Sequence, residues 1–241
     1  MNHQQILETD PPGGEETWSV DADASLQSVL DRPDTSPLLR QTLTGALSWQ
    51  ARNSRSVRTA LASPRSAPQW VAALLALGAT AVIVAEAEAE TEAGKENDSG
   101  PQEVPLEAVM QRRIRGRVSA LRVRMGEKKW GQARVTRTPA DEPIVAAVAA
   151  VEMQGDVVHQ ARVALTGVWP EPVRLAQAAT RLVGQPLDEH SIQAVAEAVE
   201  QEVAPEADFL GSEEYRRAMA GVLTRRALAA CRSQHQETRN E

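Results

Sequence analysis

The sequence predicts an α+β chain: a partial α/β layer in its first half, then antiparallel strands, then helices. Three observations carry this. Gln69 to Leu77 is an apolar helical run closed by Gly78 and followed at once by the β-rich run Thr80 to Ala85, an order that suits a helix packed on a sheet. Leu121, Val123 and Met125 alternate with Arg122 and Arg124, which is the period of a half-buried strand. The last third carries helix-start and helix-stop residues around two amphipathic stretches.

Taken in order, the first residues are polar, and Pro11, Pro12, Gly13 and Gly14 interrupt any helix. Ser25 to Leu30 reads as a short helix ending before Pro33. Pro37 to Trp49 reads as a longer one, with Ser36 as N-cap, Pro37 in the first turn, and Leu39, Leu43, Ala46 and Leu47 as its apolar face. Asn53 to Pro68, rich in Ser, Arg and Pro, reads as a loop. From residue 86 to 106 acidic residues dominate: Glu86, Glu88, Glu90, Glu92, Glu96, Asp98 and Glu103 face only Lys95, so a solvated linker is expected there. The sign then reverses through Arg112, Arg113, Arg115, Arg117, Arg122, Arg124, Lys128, Lys129, Arg134 and Arg137.

Strands follow at Leu121 to Met125, Trp130 to Thr138, Ile144 to Met153 and Val157 to Trp169, with Gly155-Asp156 as the turn between the last two. Pro172 to Val183 reads as a helix ending at Gly184. Asp188 caps a helix through Val203 whose inner face is Ile192, Val195, Ala196, Val199 and Val203. Ser212 caps a final helix with Glu213 and Glu214 in its first turn, where they suit the helix dipole. Its expected face is Tyr215, Met219, Val222, Leu223, Ala227 and Ala230. The resulting division is 1–110, 111–232 and a tail at 233–241.

Composition narrows the function. The 241 residues carry a net charge of −7, against the positive footprint that general nucleic-acid binding needs. Cys231 is the single cysteine, so the chain cannot make an internal disulfide, a cysteine zinc site or its own iron–sulfur cluster. His3, His159, His190 and His235 lack metal-ligand spacing. The longest apolar run, Val71 to Ala85, is shorter than the ~18–20 residues of a spanning helix. With no secretory pattern at Met1 to Thr9, the expectation is a cytoplasmic protein without membrane or nucleic-acid partners.

Four runs resemble one family. They are Arg134 to Ala149, Ala161 to Val168, the Leu182 to Leu187 segment LVGQPL, and Asp208 to Leu228. The last is the most specific, with Asp208, Ser212, Tyr215-Arg216 and Arg226-Ala227-Leu228 in the family's spacing; Leu210 replaces an Arg usual there. Residues 130–228 thus resemble the C-terminal domain of the FAD-binding (medium) subunit of molybdenum hydroxylases, the xanthine and carbon monoxide dehydrogenase group. The resemblance implies a three-stranded antiparallel sheet packed on a helix bundle. Pro37 to Asn53, Trp70 to Val84 and Val104 to Met110 resemble parts of the family's flavin domain, making residues 1–110 a truncated, partial α/β flavin-domain remnant.

Two departures bear on the cofactor. The family's first Gly-Gly-Thr-Asp phosphate loop has no counterpart in this sequence, and the second, normally rich in Gly, aligns with Arg55-Ser56-Val57-Arg58-Thr59-Ala60. Gly lets backbone N–H groups close on a pyrophosphate, and Cβ atoms at these positions occupy that space. A carboxylate expected after the loop is replaced at Ser66-Ala67. If FAD is retained, the resemblance places it at Arg52, Asn53, Arg55, Ser56, Arg58, Thr59 and Ser66, with Arg charge standing in for the lost glycines.

No catalytic residue and no metal ligand is assigned. Asp141-Glu142 reads as a solvated pair, and Asp208 as a helix-start acceptor. His159 is a strand side chain and Cys231 a small core residue. Arg216, Arg217, Arg225 and Arg226 pair along the helix or dock a partner. Trp49 and Trp70 are packing anchors or flank a nucleotide. Two readings follow: a scaffold subunit without tightly held FAD, or an active FAD electron-transfer subunit passing electrons from iron–sulfur centres to a soluble acceptor. Both imply an iron–sulfur subunit and a large molybdenum-cofactor subunit as partners, with Arg122, Arg124, Arg216 and Arg217 as the contact surface.

Overall fold

The computed structural model describes residues 17–84, 100–111, 116–138 and 141–240. The whole of the acidic run from Glu86 to Asp98, and Arg112, Arg113 and Arg115 of the basic run, lie outside these segments.

The first unit starts with β1 (Thr17–Asp21), which places Trp18 and Val20 inward. Four short helices follow: α1 (Leu26–Asp31), α2 (Pro37–Ala46), α3 (Trp49–Ser54) and α4 (Val57–Ala62). Each is opened by a serine, Ser25, Ser36, Ser48 and Ser56, whose hydroxyl accepts an orphan first-turn amide. Two expectations fail here for that reason. Pro37 to Trp49 is interrupted because Ser48 caps a new helix. Asn53 to Pro68 is not a loop, since it holds the end of α3, all of α4 and a 3₁₀ turn at Pro64–Ser66.

Helix α5 (Pro68–Ala76) is buried on every side, ends at Gly78 with φ +72°, and leads into β2 (Thr80–Val84). Beyond the acidic run, β3 (Gln102–Pro105) precedes α6 (Leu106–Met110) and β4 (Arg117–Arg124). The end of the expected linker is therefore structured. Val104 is buried, and Glu103 accepts from Thr80 Oγ1 at 2.5 Å and from Arg122 at 3.0 Å. The four strands form one sheet in the order β1-β4-β2-β3, with every pairing antiparallel. This moves the boundary expected at residue 111: β4 is hydrogen-bonded between β1 and β2, so the first unit extends through Arg124.

The second sheet is a meander of β5 (Lys128–Val135), β6 (Val145–Gln154), β7 (Val157–Thr166) and β8 (Val173–Leu175). It has four strands where three were expected. Pro172 to Val183 is no α-helix, because Val173 and Leu175 both point inward at strand period and Ala176 donates to the Val163 carbonyl at 2.8 Å. The segment then turns into a 3₁₀ helix at Gln177–Leu182, whose first amides donate to the Glu202 carboxylate at 2.9 and 2.8 Å. Helix α7 (Glu189–Glu202) starts at a reciprocal Asp188–Ser191 capping box. Helix α8 runs from Glu213 to Asn240, so the expected tail continues the helix, and the Trp130 amide donates to Gln234 at 3.0 Å.

Strand β6 explains its own composition. Val145, Ala147, Ala149 and Val151 face α7 and α8, while Val148 and Ala150 pack with Trp70 and Leu74 of α5 in the first core. A strand covered on both faces needs small apolar residues throughout rather than alternation. The buried face of α8 is Arg216, Ala220, Leu223, Thr224, Ala227, Leu228 and Cys231. It is turned by about one residue from the expected face: Tyr215 is exposed, Leu223 and Ala227 are common to both, and the cause is the inward side chain of Arg216. Leu223 is 1% exposed in the core shared with β6 and α7. Leu223→Ala is expected to cost on the order of 2–5 kcal/mol, checked by urea unfolding; a midpoint unchanged from wild type would show that α8 is peripheral.

Candidate functional site

The residues expected to hold FAD do come together, on α3, α4 and the 3₁₀ turn after them, but the protein itself uses their polar groups. The Ser56 amide donates to Thr59 Oγ1 at 2.8 Å and the Thr59 amide to Ser56 Oγ at 3.2 Å, a capping box. Val57 and Arg58 donate to the carbonyls of Ala24 and Ala22 at 2.9 and 2.7 Å, and Ala60 donates to Ser56 at 3.0 Å. Five successive amides, 56 to 60, are thereby spent inside the chain.

The three guanidiniums are engaged too. Arg52 donates to Gln27 Oε1 at 2.9 Å and to the Leu47 carbonyl. Arg55 donates to the Ser66 carbonyl at 2.6 Å. Arg58 donates to Val118 O at 2.7 Å and pairs with Asp23 at 2.7 Å. Its hydrogen bond, with help from Arg117, holds the Asp23 carboxyl below its ordinary value. Asn53 bonds back to the Trp49 carbonyl at 2.8 Å. Only the Ser66 hydroxyl is buried without a partner in this group. A pyrophosphate needs several convergent free amides, so this arrangement does not fit FAD as a glycine loop would. Asp23, Gln27 and the carbonyls of Ala22, Ala24 and Val118 were not singled out in the sequence. Their tie to the loop runs across 25 to 60 residues, and only the acidic Asp21-Ala-Asp23 turn before Ser25 hints at it.

Trp70 is fully buried in the core and cannot flank a nucleotide, whereas Trp49 is 66% exposed on α3, the helix that also carries Arg52 and Asn53. His159 is an exposed side chain on β7. Cys231 is buried, and burial pushes its thiol well above the ordinary range. Among the described residues no cluster of three or more His, Cys, Asp or Glu could hold a metal, and no helix is long and apolar enough to cross a membrane.

The expected basic contact surface is broken up. Arg216 is 5% exposed and points into the protein, donating to the carbonyls of Ile144 and Gly167 at 2.9 Å each and to Asp208 at 2.6 Å. Arg217 donates to the Val203 carbonyl at 2.9 Å, satisfying the end of α7. Arg122 pairs with Glu103 at 3.0 Å. Asp208 acts as expected of a helix-start acceptor, receiving the Leu210 and Gly211 amides at 2.8 and 3.2 Å, and it also braces Arg216.

Known proteins share this architecture. Residues 131–231 match the CO dehydrogenase flavoprotein C-terminal domain. The carbon monoxide dehydrogenase medium chain of Hydrogenophaga pseudoflava is 31% identical over 101 residues, 42% of this chain and 35% of that protein. The glyceraldehyde dehydrogenase medium chain of Sulfolobus acidocaldarius is 27% identical over 94 residues, 39% and 34% respectively. The matches thus span about a third of each curated relative's length. The fold similarity is wider. A carbon monoxide dehydrogenase structure from H. pseudoflava superposes with a TM-score of 0.73 at 22% identity, over 92% of this chain and 77% of that one. Quinoline 2-oxidoreductase from Pseudomonas putida 86 gives 0.72 at 22%, with the same coverage. Residues 131–231 are thus similar to the C-terminal domain of CO dehydrogenase flavoproteins, and the fold over most of the chain is the one seen in these oxidoreductase structures.

Proposed function

We propose that this chain is a scaffold subunit of a molybdenum hydroxylase-type oxidoreductase assembly and holds no tightly bound FAD. The observation that carries this reading is the set of five amides, Ser56 to Ala60, all donated within the chain at the flavin-loop position. Opening them for a phosphate would cost the capping box of α4 and the pairing of Val57 and Arg58 to the Ala22–Ala24 turn. The charges of Arg52, Arg55 and Arg58 are likewise committed to holding α1, α3 and β4 in place. The residues therefore build a rigid surface. The electron-transfer reading has one observation on its side, the unpartnered Ser66 hydroxyl.

The redox centres of the assembly belong to other chains. A [2Fe–2S] centre takes four thiolates, and here the single cysteine is buried beneath β6. The partners are an iron–sulfur subunit and a large molybdenum-cofactor subunit, and the residues of this chain contribute position, not chemistry.

An absorbance spectrum of the natively purified chain tests the proposal. Flavin bands near ~370 and ~450 nm belong to the cofactor itself and are expected to be absent. A stoichiometric yellow protein would overturn the scaffold reading in favour of electron transfer.

A further inference from the structure

The chain's one phenylalanine and one tyrosine belong to the same turn and the helix start after it, and both reach solvent: Phe209 is 87% exposed and Tyr215 38%. Single exposed apolar residues are ordinary; the support beneath this pair is not. Phe209 is at the tip of a turn closed by reciprocal Asp208–Gly211 backbone bonds of 3.1 and 3.3 Å. The Asp208 carboxylate accepts the Leu210 and Gly211 amides from inside the turn and Arg216 from below. Leu210 packs inward against the second core, so its neighbour Phe209 is driven outward. The Tyr215 ring lies over Gly211, where even a Cβ would come within 2.9 Å of Cδ1. Asp208, Arg216 and Leu210 together brace the backbone that presents Phe209, so the turn itself needs little ordering on binding.

The exposed charges on either side of this turn along the chain are acidic. Glu206, Glu213 and Glu214 are exposed and make no ion pair among the described residues. Of the cations that follow, Arg216 turns into the core, and Arg217 donates to the end of α7 while its charge still reaches Glu214. A two-fold contact between copies would press this acidic rim against itself, which disfavours a symmetric self-association.

We infer that the Phe209–Tyr215 turn is a docking knob for a different polypeptide, one that offers an apolar socket rimmed by lysine or arginine. Taking that polypeptide to be the iron–sulfur or molybdenum subunit rests on the assembly reading above. Aromatic anchors on preorganised supports dominate such contacts, and the acidic rim speeds encounter and makes it salt-sensitive.

The test uses the full-length tagged chain expressed in its native host. The readouts are subunits identified by mass spectrometry, iron and molybdenum content of the eluate, and size-exclusion chromatography of the purified chain. Phe209→Ala is expected to melt within about a degree of wild type, since its side chain touches little, and to lower capture of the metal-bearing subunits at least tenfold. Glu213→Gln with Glu214→Gln is expected to flatten the salt dependence of capture. If wild type and Phe209→Ala capture those subunits equally, the docking site is overturned while the assembly reading stands. If wild type captures neither subunit at low salt, both fall. If wild type elutes as a dimer that Phe209→Ala converts to a monomer, the occupant is a second copy and the inference is wrong.

Discussion

Gly131→Ala is expected to be among the most damaging single substitutions in this protein, with a loss of about 3–5 kcal/mol or a failure to fold. Gly131 lies in the middle of β5, opposite Ala149 of β6, where α8 crosses the sheet. A Cβ built there falls 2.1 Å from the Ala227 carbonyl oxygen and 2.8 Å from the Ala230 Cβ. The first obstacle is helix backbone, which has no rotamer to give, so the whole of α8 must lift away from β5 or the strand must bend. Gly131 is not among the glycines with positive φ, so the penalty is steric. Two comparisons sharpen the expectation. Gly100→Ala, where a Cβ meets nothing within 4 Å, should leave the thermal midpoint unchanged. Gly131→Ala combined with Ala230→Gly should remain unstable, because the clash with the Ala227 carbonyl persists; full recovery would show that the helix backbone can move freely.

That helix illustrates what was legible in the sequence and what was not. The existence of α8, its start at Ser212 and the burial of Leu223 and Ala227 follow from local signals. Its register does not, because the residue that turns it is Arg216, a charged side chain that helical periodicity assigns to solvent. Its inward direction depends on two carbonyls, Ile144 and Gly167, which lie 72 and 49 residues away. The same holds for the first unit. Ser36 is readable as a cap and Ser25 only as the first residue of a helix, whereas Ser48 lies inside the run read as one long helix and Ser56 in a Ser/Arg-rich stretch whose composition resembles a loop. β4 reads correctly as a strand, yet its pairing with β1 and β2 rather than with β5 is a long-range choice that alternation cannot express. Across residues 55–60 the lack of glycine is visible in the sequence, but the occupation of the amides by Ala22 and Ala24 is not, since nothing local couples residues 22–24 to 57–58.

Arg216 carries the second large effect. Its guanidinium joins the end of β7, the residue before β6 and the Asp208 turn in one fork, a geometry an ammonium cannot reproduce. In Arg216→Met the stem is replaced by apolar volume, but the Ile144 and Gly167 carbonyls each lose a donor, at roughly 1–3 kcal/mol apiece where buried. A total loss of roughly 2–5 kcal/mol is expected on that basis, and Arg216→Lys should recover only part of it. The pH dependence gives an independent check. The Arg216 hydrogen bond holds the Asp208 carboxyl below its ordinary value. A lowered folded-state value contributes stability that is full above the unfolded carboxylate value of about 3.9 and fades as pH falls through the folded one. The difference between wild type and Arg216→Met, followed by urea unfolding from pH 7 downward, should therefore hold steady to about pH 4–5 and then narrow. Asp208 is partly exposed, so the narrowing is a fraction of the whole, and the carbonyl contribution stays at every pH. A gap that widened in acid would show that Asp208 is not held by Arg216, and the turn that presents Phe209 would lose its brace.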